Sequence, residues 1–548
     1  MPLQLMKYTS RLVSWPGSWF PRRLPPCLAA LLLAGLASCA RFTPPERTAA
    51  DTPMPDAFTI YDTEEAAPDR WWEGFNSPEL DRLVGEALDG NLSMAQAAAR
   101  IRQASAVVRQ AGSPLRPTLS YGADTALSRR RTELGRGEPA VDAATRRLNA
   151  LNALLGAASG AGGPSGAGPL LSAADSVADG RNAVEALLAP SPETAITLDT
   201  DSYGLGLTAG YEVDLWGGIR AGESAVIAGL GATREEAHAV MHSIAGQVAL
   251  TWLDLLETAQ VLAVVRGQLE TNKTNLGLIE LRYRNGLATI LDVYQQRQAV
   301  AETESAIPLQ EARYEVLKHT LAVLLGKAPR DDLALAEAGF LEPGPLPDYG
   351  IPADLLARRP DVRAAGLRLR AADWQVAVAR ADRLPRLQLS ATLSTDAESL
   401  GMLLDNWFAQ LAAGVTGPIF DGGRRKAEVE RTRAVVDERL ASYRLTVLES
   451  IAEVEDALVL IDRQQVFIRA LDVQLEAARN AHREALGRYR KGLTDYLPVL
   501  TALRNLQGLE RDVVEAAHDL LVYRVQLHLA LGGGWMAGQL EVREGSIP

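Results

Sequence analysis

The chain has 548 residues, 47% of them hydrophobic, 23% charged and only 5% aromatic, with a formal net charge of −12. It is too long for one ordinary core, so several domains are expected. An acidic chain without a concentrated basic stripe excludes a nucleic-acid binder, and no stretch beyond residue 40 offers the ~18 uncharged apolar residues of an internal transmembrane helix.

The first segment reads as an export signal. Lys7, Arg11, Arg22 and Arg23 place positive charge before and at the start of an apolar run, Leu24 to Leu36, the arrangement of a secretory leader. The run ends in Leu36-Ala37-Ser38-Cys39, which resembles a bacterial lipobox. Residues 1–38 are therefore expected to be removed, and Cys39 to carry a covalent lipid of the palmitate kind as the new N-terminal residue. The next residue is Ala40 and not the Asp that resembles an inner-membrane retention signal, and the long leader leaves Met1 and Met6 both open as the start. Cys27 falls in the leader, so the mature chain has no free thiol and no disulfide. Residues 39–70 read as an extended linker.

From about Trp71 helix and strand signals follow in a fixed order. A helix over Ser93 to Ala97 leads to a strand, Leu115 to Leu127, with Leu119, Tyr121 and Ala123 on one face and Thr118, Ser120 and Asp124 on the other. A Gly/Ala/Ser-rich insertion of about 130–197 follows, with its low-complexity centre at Gly156 to Gly168. Tyr203 to Leu215 then alternates Tyr203, Leu205, Leu207, Ala209, Tyr211, Val213 and Leu215 against Gly204, Gly206, Thr208, Gly210, Glu212 and Asp214. No proline occurs from Gly218 to Asn285, and Met241, Val248, Leu255, Leu262, Leu269, Leu276 and Tyr283 form a heptad series. A helix of that length spans roughly 100 Å. A short turn at Asn285-Gly286 leads to a second, antiparallel helix from about Ile290.

The order then repeats. Strands are expected through Leu387, Leu389, Ala391 and Leu393 and through Trp407, Ala409, Leu411, Ala413 and Val415. The heptad returns as Val447, Val454, Ile461, Ile468, Leu475, His482 and Tyr489, the turn as Lys491-Gly492, and the second helix from about Tyr496. Arg282-Tyr283-Arg284-Asn285-Gly286-Leu287 meets Arg488-Tyr489-Arg490-Lys491-Gly492-Leu493 at 488 − 282 = 206, and Gly326 meets Gly532 at the same offset. Gly217-Gly218 meets Gly422-Gly423 at 205, whereas Ser93 to Ala97 and Pro117 meet Asp361 to Ala365 and Pro385 at 268. The chain is thus expected to be a tandem repeat: a first unit over 71–340, a second over 341–534, and a tail over 535–548.

Catalytic signals are weak, and no enzyme is expected. His238 and His242 are four apart, yet no Glu follows His238 and no cysteine is near; they read as exposed helix residues and not as a metal site. Gly204, Gly206 and Gly210 have the wrong spacing for a phosphate loop and sit inside a strand. Glu235-Glu236 reads as a solvated helix face. No Ser-His-Asp or Cys-His arrangement has a supporting context.

Four amphipathic strands of the ~9–11 residues that cross a membrane cannot close a barrel alone. Open edges in lipid leave backbone groups unsatisfied, so other copies must supply strands: two copies give eight and three give twelve. The Leu, Val and Tyr faces suit lipid, the Gly, Ser, Thr and Asp faces a wet lumen. Tyr203, Tyr211, Trp216 and Trp407 near strand ends suit an aromatic girdle.

The lipobox, the tandem halves, Asp214-Leu215-Trp216-Gly217-Gly218, Ile419-Phe420-Asp421-Gly422-Gly423, Arg359-Pro360-Asp361 and the paired Arg-Tyr-Arg turns together resemble the TolC-like outer membrane factor family, in its lipidated efflux branch. The resemblance runs from about Trp71 to Gly534. It implies a membrane α+β fold: a trimeric outer-membrane β-barrel with four strands per protomer, continued by a long periplasmic α-helical barrel, with a mixed equatorial domain. It implies outer-membrane lipid around the barrel, a homotrimer, a periplasmic adaptor (membrane fusion protein) and an inner-membrane resistance–nodulation–division pump as partners, and no cofactor beyond the lipid on Cys39. The implied function is a passive efflux duct for drugs, metals or other small toxic compounds. A type I protein-secretion duct and a lipid-anchored helical scaffold without a pore are the alternatives. By position, Tyr489, Leu497, Thr501 and Arg504 match the family's gate. Leu497 is implied to form an apolar ring that dewets the closed pore, with Tyr489 and Arg504 holding the helices by hydrogen bonds. Thr501 stands where the family has an acidic residue, and Asp495 or Asp292 could substitute. Arg282, Tyr283, Gly286, Leu287, Arg488, Gly492 and Leu493 form the implied adaptor-docking tips.

Overall fold

The computed structural model describes residues 70–133, 195–329 and 352–533, with a few isolated positions before 70 and between 146 and 149. Cys39, most of the insertion and the 535–548 tail lie outside the described residues.

Helix α1 (Pro78–Gly90) starts with proline at its first turn and Ser77 as cap, whose Oγ accepts from Leu80 N at 3.3 Å. It buries Leu80, Leu83, Val84, Ala87 and Leu88. Helix α2 (Leu92–Gly112) is capped by Asn91, whose Oδ1 accepts from Ser93 N at 2.7 Å. Strands β1 (Thr118–Glu133) and β2 (Ala195–Val213) follow. Helices α3 (Gly218–Arg284) and α4 (Ile290–Leu324) come next. Helix α5 (Pro360–Ala381), strands β3 (Arg386–Ala397) and β4 (Trp407–Thr416), and helices α6 (Arg424–Arg490) and α7 (Tyr496–Leu531) complete the described chain.

The four strands form one antiparallel sheet in the order β1-β2-β3-β4. Directly opposite residues share a face. One face carries the rows Leu119, Ala209, Ala391, Leu411 and Tyr121, Leu207, Leu393, Ala409. The other carries Ser120, Thr208, Thr392, Gln410 and Gly122, Gly206, Ser394, Phe408. The apolar–polar split expected from the alternation is therefore present over these rows, with Phe408 as the exception, whereas further along the first hairpin Arg129 and Asp199 fall on the otherwise apolar face.

The first two strands are much longer than expected, with 16 residues in β1 and 19 in β2, whereas β3 has 12 and β4 has 10. Both arms of the first hairpin run into the segment read as insertion, which narrows it from 130–197 to 134–194. Charges hid this extension from the alternation: Arg129 and Asp199 are register partners and pair at 2.7 Å. Tyr203 consequently lies in the middle of β2 and not at its end.

Helices α3 and α6 each have 67 residues, about 100 Å. Each begins after a glycine in the left-handed region, Gly217 at φ 73 and Gly423 at φ 85. Their separation, 423 − 217 = 206, is one more than the pairing of the double glycines suggested. The Asp of each motif is a cap at a distance. The Asp214 carboxylate accepts from Ile219 N and Arg220 N at 3.1 Å, and that of Asp421 from Gly423 N at 3.1 Å and Arg425 N at 3.2 Å. These bonds satisfy amides that a helix start leaves open.

The main core joins α1, α2, α3, the end of α4 and α7 around Trp71, Trp252, Met241, Leu253 and Val525. A second cluster unites α6 and α7 with Phe58 of the N-terminal linker. One stretch of α3 is long and apolar enough to cross a membrane, yet most of it is buried inside the protein, as a core helix would be.

Two expectations are corrected here. His238 and His242 are buried, not exposed: His238 Nδ1 is 3.1 Å from Glu235 Oε2, and His242 Nε2 donates to Leu529 O at 2.9 Å. Burial holds His242 below the ordinary histidine range. Glu235 is likewise buried, paired with Arg363 at 2.6 Å, because α5 packs over that face of α3.

Candidate functional site: the helical tips and their support

Both turns between the long helices close in the same way. Gly286 and Gly492 sit at φ 68 and 70, where a side chain would be strained. Leu287 N donates to Arg282 O at 2.8 Å and Gly286 N to Tyr283 O at 3.0 Å. Leu493 N donates to Arg488 O and Gly492 N to Tyr489 O, both at 3.0 Å. This is the Schellman pattern, which ends a helix and reverses the chain in a few residues. The first turn re-enters helix through a capping box: Thr289 Oγ1 accepts from Asp292 N at 3.2 Å, and Asp292 Oδ2 accepts from Thr289 N at 2.9 Å. Asp292 is thereby engaged at the cap. Asp495 is the N-cap residue of α7 and makes no side-chain cap bond.

The tips juxtapose several residues expected from the sequence. Tyr489 is buried with Ile279, Val293, Tyr496, Val499 and Leu500. The Arg282 guanidinium lies 4.5 Å above its ring, and the Tyr496 ring is 5.3 Å away. Arg282 also donates to Arg490 O at 3.3 Å, so one arginine ties the two turns together. Tyr283, the counterpart of Tyr489, is exposed, as are Leu287 and Leu493. Arg488 pairs with Glu484 on its own helix at 2.9 Å. Burial raises the Tyr489 hydroxyl above the ordinary tyrosine range.

Leu497 is exposed and lies with Thr501 on one side of α7, lining a shallow cavity of about 510 Å³ with Ala478, Ala481, Pro498, Ala502 and Asn505. Arg504 reaches Glu302 on α4 at 3.2 Å. The four gate candidates therefore split: Tyr489 is packed inside the protomer, Leu497 and Thr501 face open space, and Arg504 links α7 to α4.

Behind the tip runs a buried polar chain that the heptad reading missed. The Tyr496 hydroxyl donates to Gln296 Oε1. Gln296 Nε2 donates to Asn272 O at 2.8 Å, and Asn272 Nδ2 to Thr303 Oγ1 at 2.8 Å. Gln507 Nε2 donates to Asn272 Oδ1 at 3.2 Å, Gln268 Nε2 to Gln507 O at 2.8 Å, and Arg511 to Gln268 Oε1 at 2.9 Å. Gln268, Asn272, Gln296 and Gln507 are all buried. Polar groups inside a helical packing seam specify register at a cost in stability, so this chain fixes α7 against α3 and α4. Its signal was in the sequence: Gln268, Asn272, Asn275 and Ile279 recur at four, three and four residues along α3.

Comparison with known proteins agrees with this architecture. A family model described as outer membrane efflux protein matches residues 83–327 and 351–533. The pyoverdine export outer membrane protein OpmQ of Pseudomonas putida is 33% identical over 521 residues, covering 94% of this chain and 98% of that protein. The toluene efflux pump outer membrane protein TtgI, from another strain of Pseudomonas putida, is 30% identical over 360 residues, 64% of this chain and 75% of that protein. Among solved structures, the outer-membrane channel OprN superposes with a TM-score of 0.72 at 26% identity, over 90% of this chain and 99% of that one. CusC gives the same TM-score at 22% identity, over 90% and 99%, a likeness of fold. The sheet of amphipathic strands, the rods that carry it and these matches lead to one assignment: the chain belongs to the outer membrane efflux protein family and is an outer-membrane efflux component.

Proposed function

We propose that the protein is a homotrimeric duct, anchored by a lipid on Cys39, through which a tripartite pump expels small molecules. The observation that carries this reading is the open sheet. It has four amphipathic strands, and β1 and β4 have no strand partner on their outer edges among the described residues. Such edges are not stable in lipid. Three copies supply 4 × 3 = 12 strands, enough for a barrel with a water-filled lumen. The apolar rows then face lipid and the Ser, Thr and Gly rows the lumen. The rods continue the lumen into the periplasm as an α-barrel, with a mixed equatorial domain formed by α1, α2, α5 and the helix ends.

The equal 67-residue rods and the 206-residue interval between their cap glycines support the tandem-repeat reading. Arg282, Tyr283, Gly286 and Leu287, with Arg488, Gly492 and Leu493, are proposed as the surface that meets a periplasmic adaptor, and a resistance–nodulation–division pump as the inner-membrane partner. Leu497 and Thr501, open on one side of α7, are proposed to line the pore with Tyr489 and Arg504 behind them. The relatives' names mention pyoverdine and toluene, so the cargo proposed here is small and organic and is chosen by the pump.

The test combines crosslinking in whole cells with mass measurement in detergent. A trimer that conducts ions in planar bilayers, and that copurifies with an adaptor and a proton-driven pump, is expected. Copurification with an ATP-driven exporter would move the assignment to protein secretion, and a non-conducting monomer would remove the duct.

A further inference from the structure

We infer that a cavity among the long helices, between α3, α6 and α7, binds a small organic anion, with an aromatic body on its apolar floor and a carboxylate against Arg479 and His482. The site is built within one protomer, so it stands apart from the trimeric reading above.

The cavity has a volume of about 530 Å³, within the range of small-molecule sites, roughly 300–1,000 Å³. Its apolar floor is Leu475, Leu503, Leu506 and Val513. Its basic side lies on α6, where Arg479 and His482, three residues apart, share a face. Arg479 has no ion pair or hydrogen bond among the described residues. His482 Nε2 is buried without a hydrogen-bond partner, a state that costs free energy. A small turn of the ring would let a ligand oxygen relieve it. Burial keeps His482 below the ordinary histidine range, so at neutral pH the ring offers a hydrogen bond and Arg479 the charge. Glu510 is the one acid in the lining, and its Oε2 accepts from Gln268 Nε2 at 2.9 Å, which holds it to the α3 side.

The internal repeat points to the same place. At the 206-residue interval His482 corresponds to Leu276, and Gly267 to Val473. Both departures fall in the cavity lining. The first puts a polar ring at an apolar heptad position, and the second removes a side chain. A Cβ on Gly267 would meet open space, so packing does not call for a glycine that weakens the helix. The counterpart of Arg479 is Lys273, which pairs with Glu270 at 3.1 Å. Glu476, the counterpart of Glu270, instead accepts from Asn480 at 3.2 Å. Arg479 is thereby left available to an anion, to which a guanidinium offers charge-assisted hydrogen bonds.

The test is equilibrium binding of 2-naphthoate to the full chain in phosphatidylcholine nanodiscs, with empty discs as the blank and 2-naphthamide as the uncharged analogue. Saturable binding of naphthoate is expected, at about tenfold the affinity of the amide. Arg479→Met, which removes the charge, and Gly267→Leu, which fills the cavity, are each expected to weaken naphthoate about tenfold, and Arg479→Met should leave the amide unchanged. His482→Leu restores the apolar heptad, so it should weaken naphthoate without lowering the melting temperature. Equal affinity for acid and amide, uptake no greater than by empty discs, or naphthoate binding that survives both Arg479→Met and Gly267→Leu would overturn the site. Mass in detergent is measured on the same samples. A monomer that binds naphthoate would remove the trimeric duct and leave the site standing, whereas a trimer that does not bind it would remove the site and leave the duct.

Discussion

Asn91 and Arg359, 268 residues apart, each donate a side-chain hydrogen bond to the carbonyl two residues before a left-handed glycine. Asn91 Nδ2 reaches Leu324 O at 2.8 Å, ahead of Gly326 at φ 72. Arg359 reaches Ala530 O at 2.9 Å, ahead of Gly532 at φ 73. The two carbonyls are themselves 530 − 324 = 206 apart. In each half, the start of a short helix is thus pinned to the end of the second long helix. Helix ends leave carbonyls without partners, and these two donors supply them. The joint fastens the end of each second long helix to the start of α2 or α5, and its strength can be probed.

The glycines at these joints differ from those at the tips in what surrounds them. A Cβ on Gly326 would lie 2.1 Å from Gly90 O, whereas one on Gly286 would meet open space. Gly286→Ala is expected to cost about 1 kcal/mol, the strain of positive φ alone. Gly326→Ala adds a backbone clash and is expected to cost about 3 kcal/mol or more. Thermal unfolding of the detergent-solubilised protein reads the difference; equal losses would mean that the backbone at Gly90 yields easily.

The two donors should also be unequal. Arg359 is buried and forms a two-bond pair with Asp361 at 3.1 and 2.7 Å, while also contacting Glu453. Burial disfavours its charge, but these carboxylates outweigh that and keep it protonated, and Asp361 is in turn held low. Arg359→Met leaves the Ala530 carbonyl without its donor and two half-exposed acids without their cation, a loss of about 2–4 kcal/mol. Asn91→Ala removes a cap and one carbonyl bond, about 1–2 kcal/mol. A loss from Arg359→Met no larger than from Asn91→Ala, measured by denaturant unfolding, would contradict this.

His528 makes the fold acid-sensitive. Burial, followed by the charges of Arg524 and His242, pushes it down from 6.5 to about 4. Its ring stacks on Trp71 at 5.4 Å between centroids. The unfolded chain takes up the proton near pH 6.5 while the folded chain refuses it until about 4. The contribution is therefore complete above pH 6.5 and declines as pH falls towards 4, by at most about 3 kcal/mol per protomer. His528→Phe keeps the stacking and removes the titration, so its melting temperature should fall less between pH 7 and pH 5 than that of the parent. Parallel curves would assign the acid sensitivity elsewhere.

Leu497 is the residue through which the pore reading can fail most directly. It is an exposed apolar side chain, and on the proposed lumen wall it would narrow and dewet the passage. Leu497→Gly is expected to raise single-channel conductance several-fold with the oligomer intact. Unchanged conductance would place the constriction at another level of the rod.

The sequence by itself determined the elements and much of their order. Period-two alternation marks a strand wherever one face is apolar, and proline-free heptads mark a long helix, so the helix starts at Gly218, Ile290 and Tyr496 were legible in it. Local rules carry such features, because each depends on neighbours within a turn or a pleat. Tertiary structure decided the rest. Whether His238, His242 and Glu235 meet solvent depended on α5 and α7, which lie over 100 residues further along the chain and cover them. The extension of the first hairpin depended on charges finding partners across the ladder, as Arg129 finds Asp199. The different fates of Tyr283, exposed, and Tyr489, buried beneath Arg282, arose although the two turns have nearly the same sequence. The two turns share local geometry, but only packing fixes which tyrosine is covered.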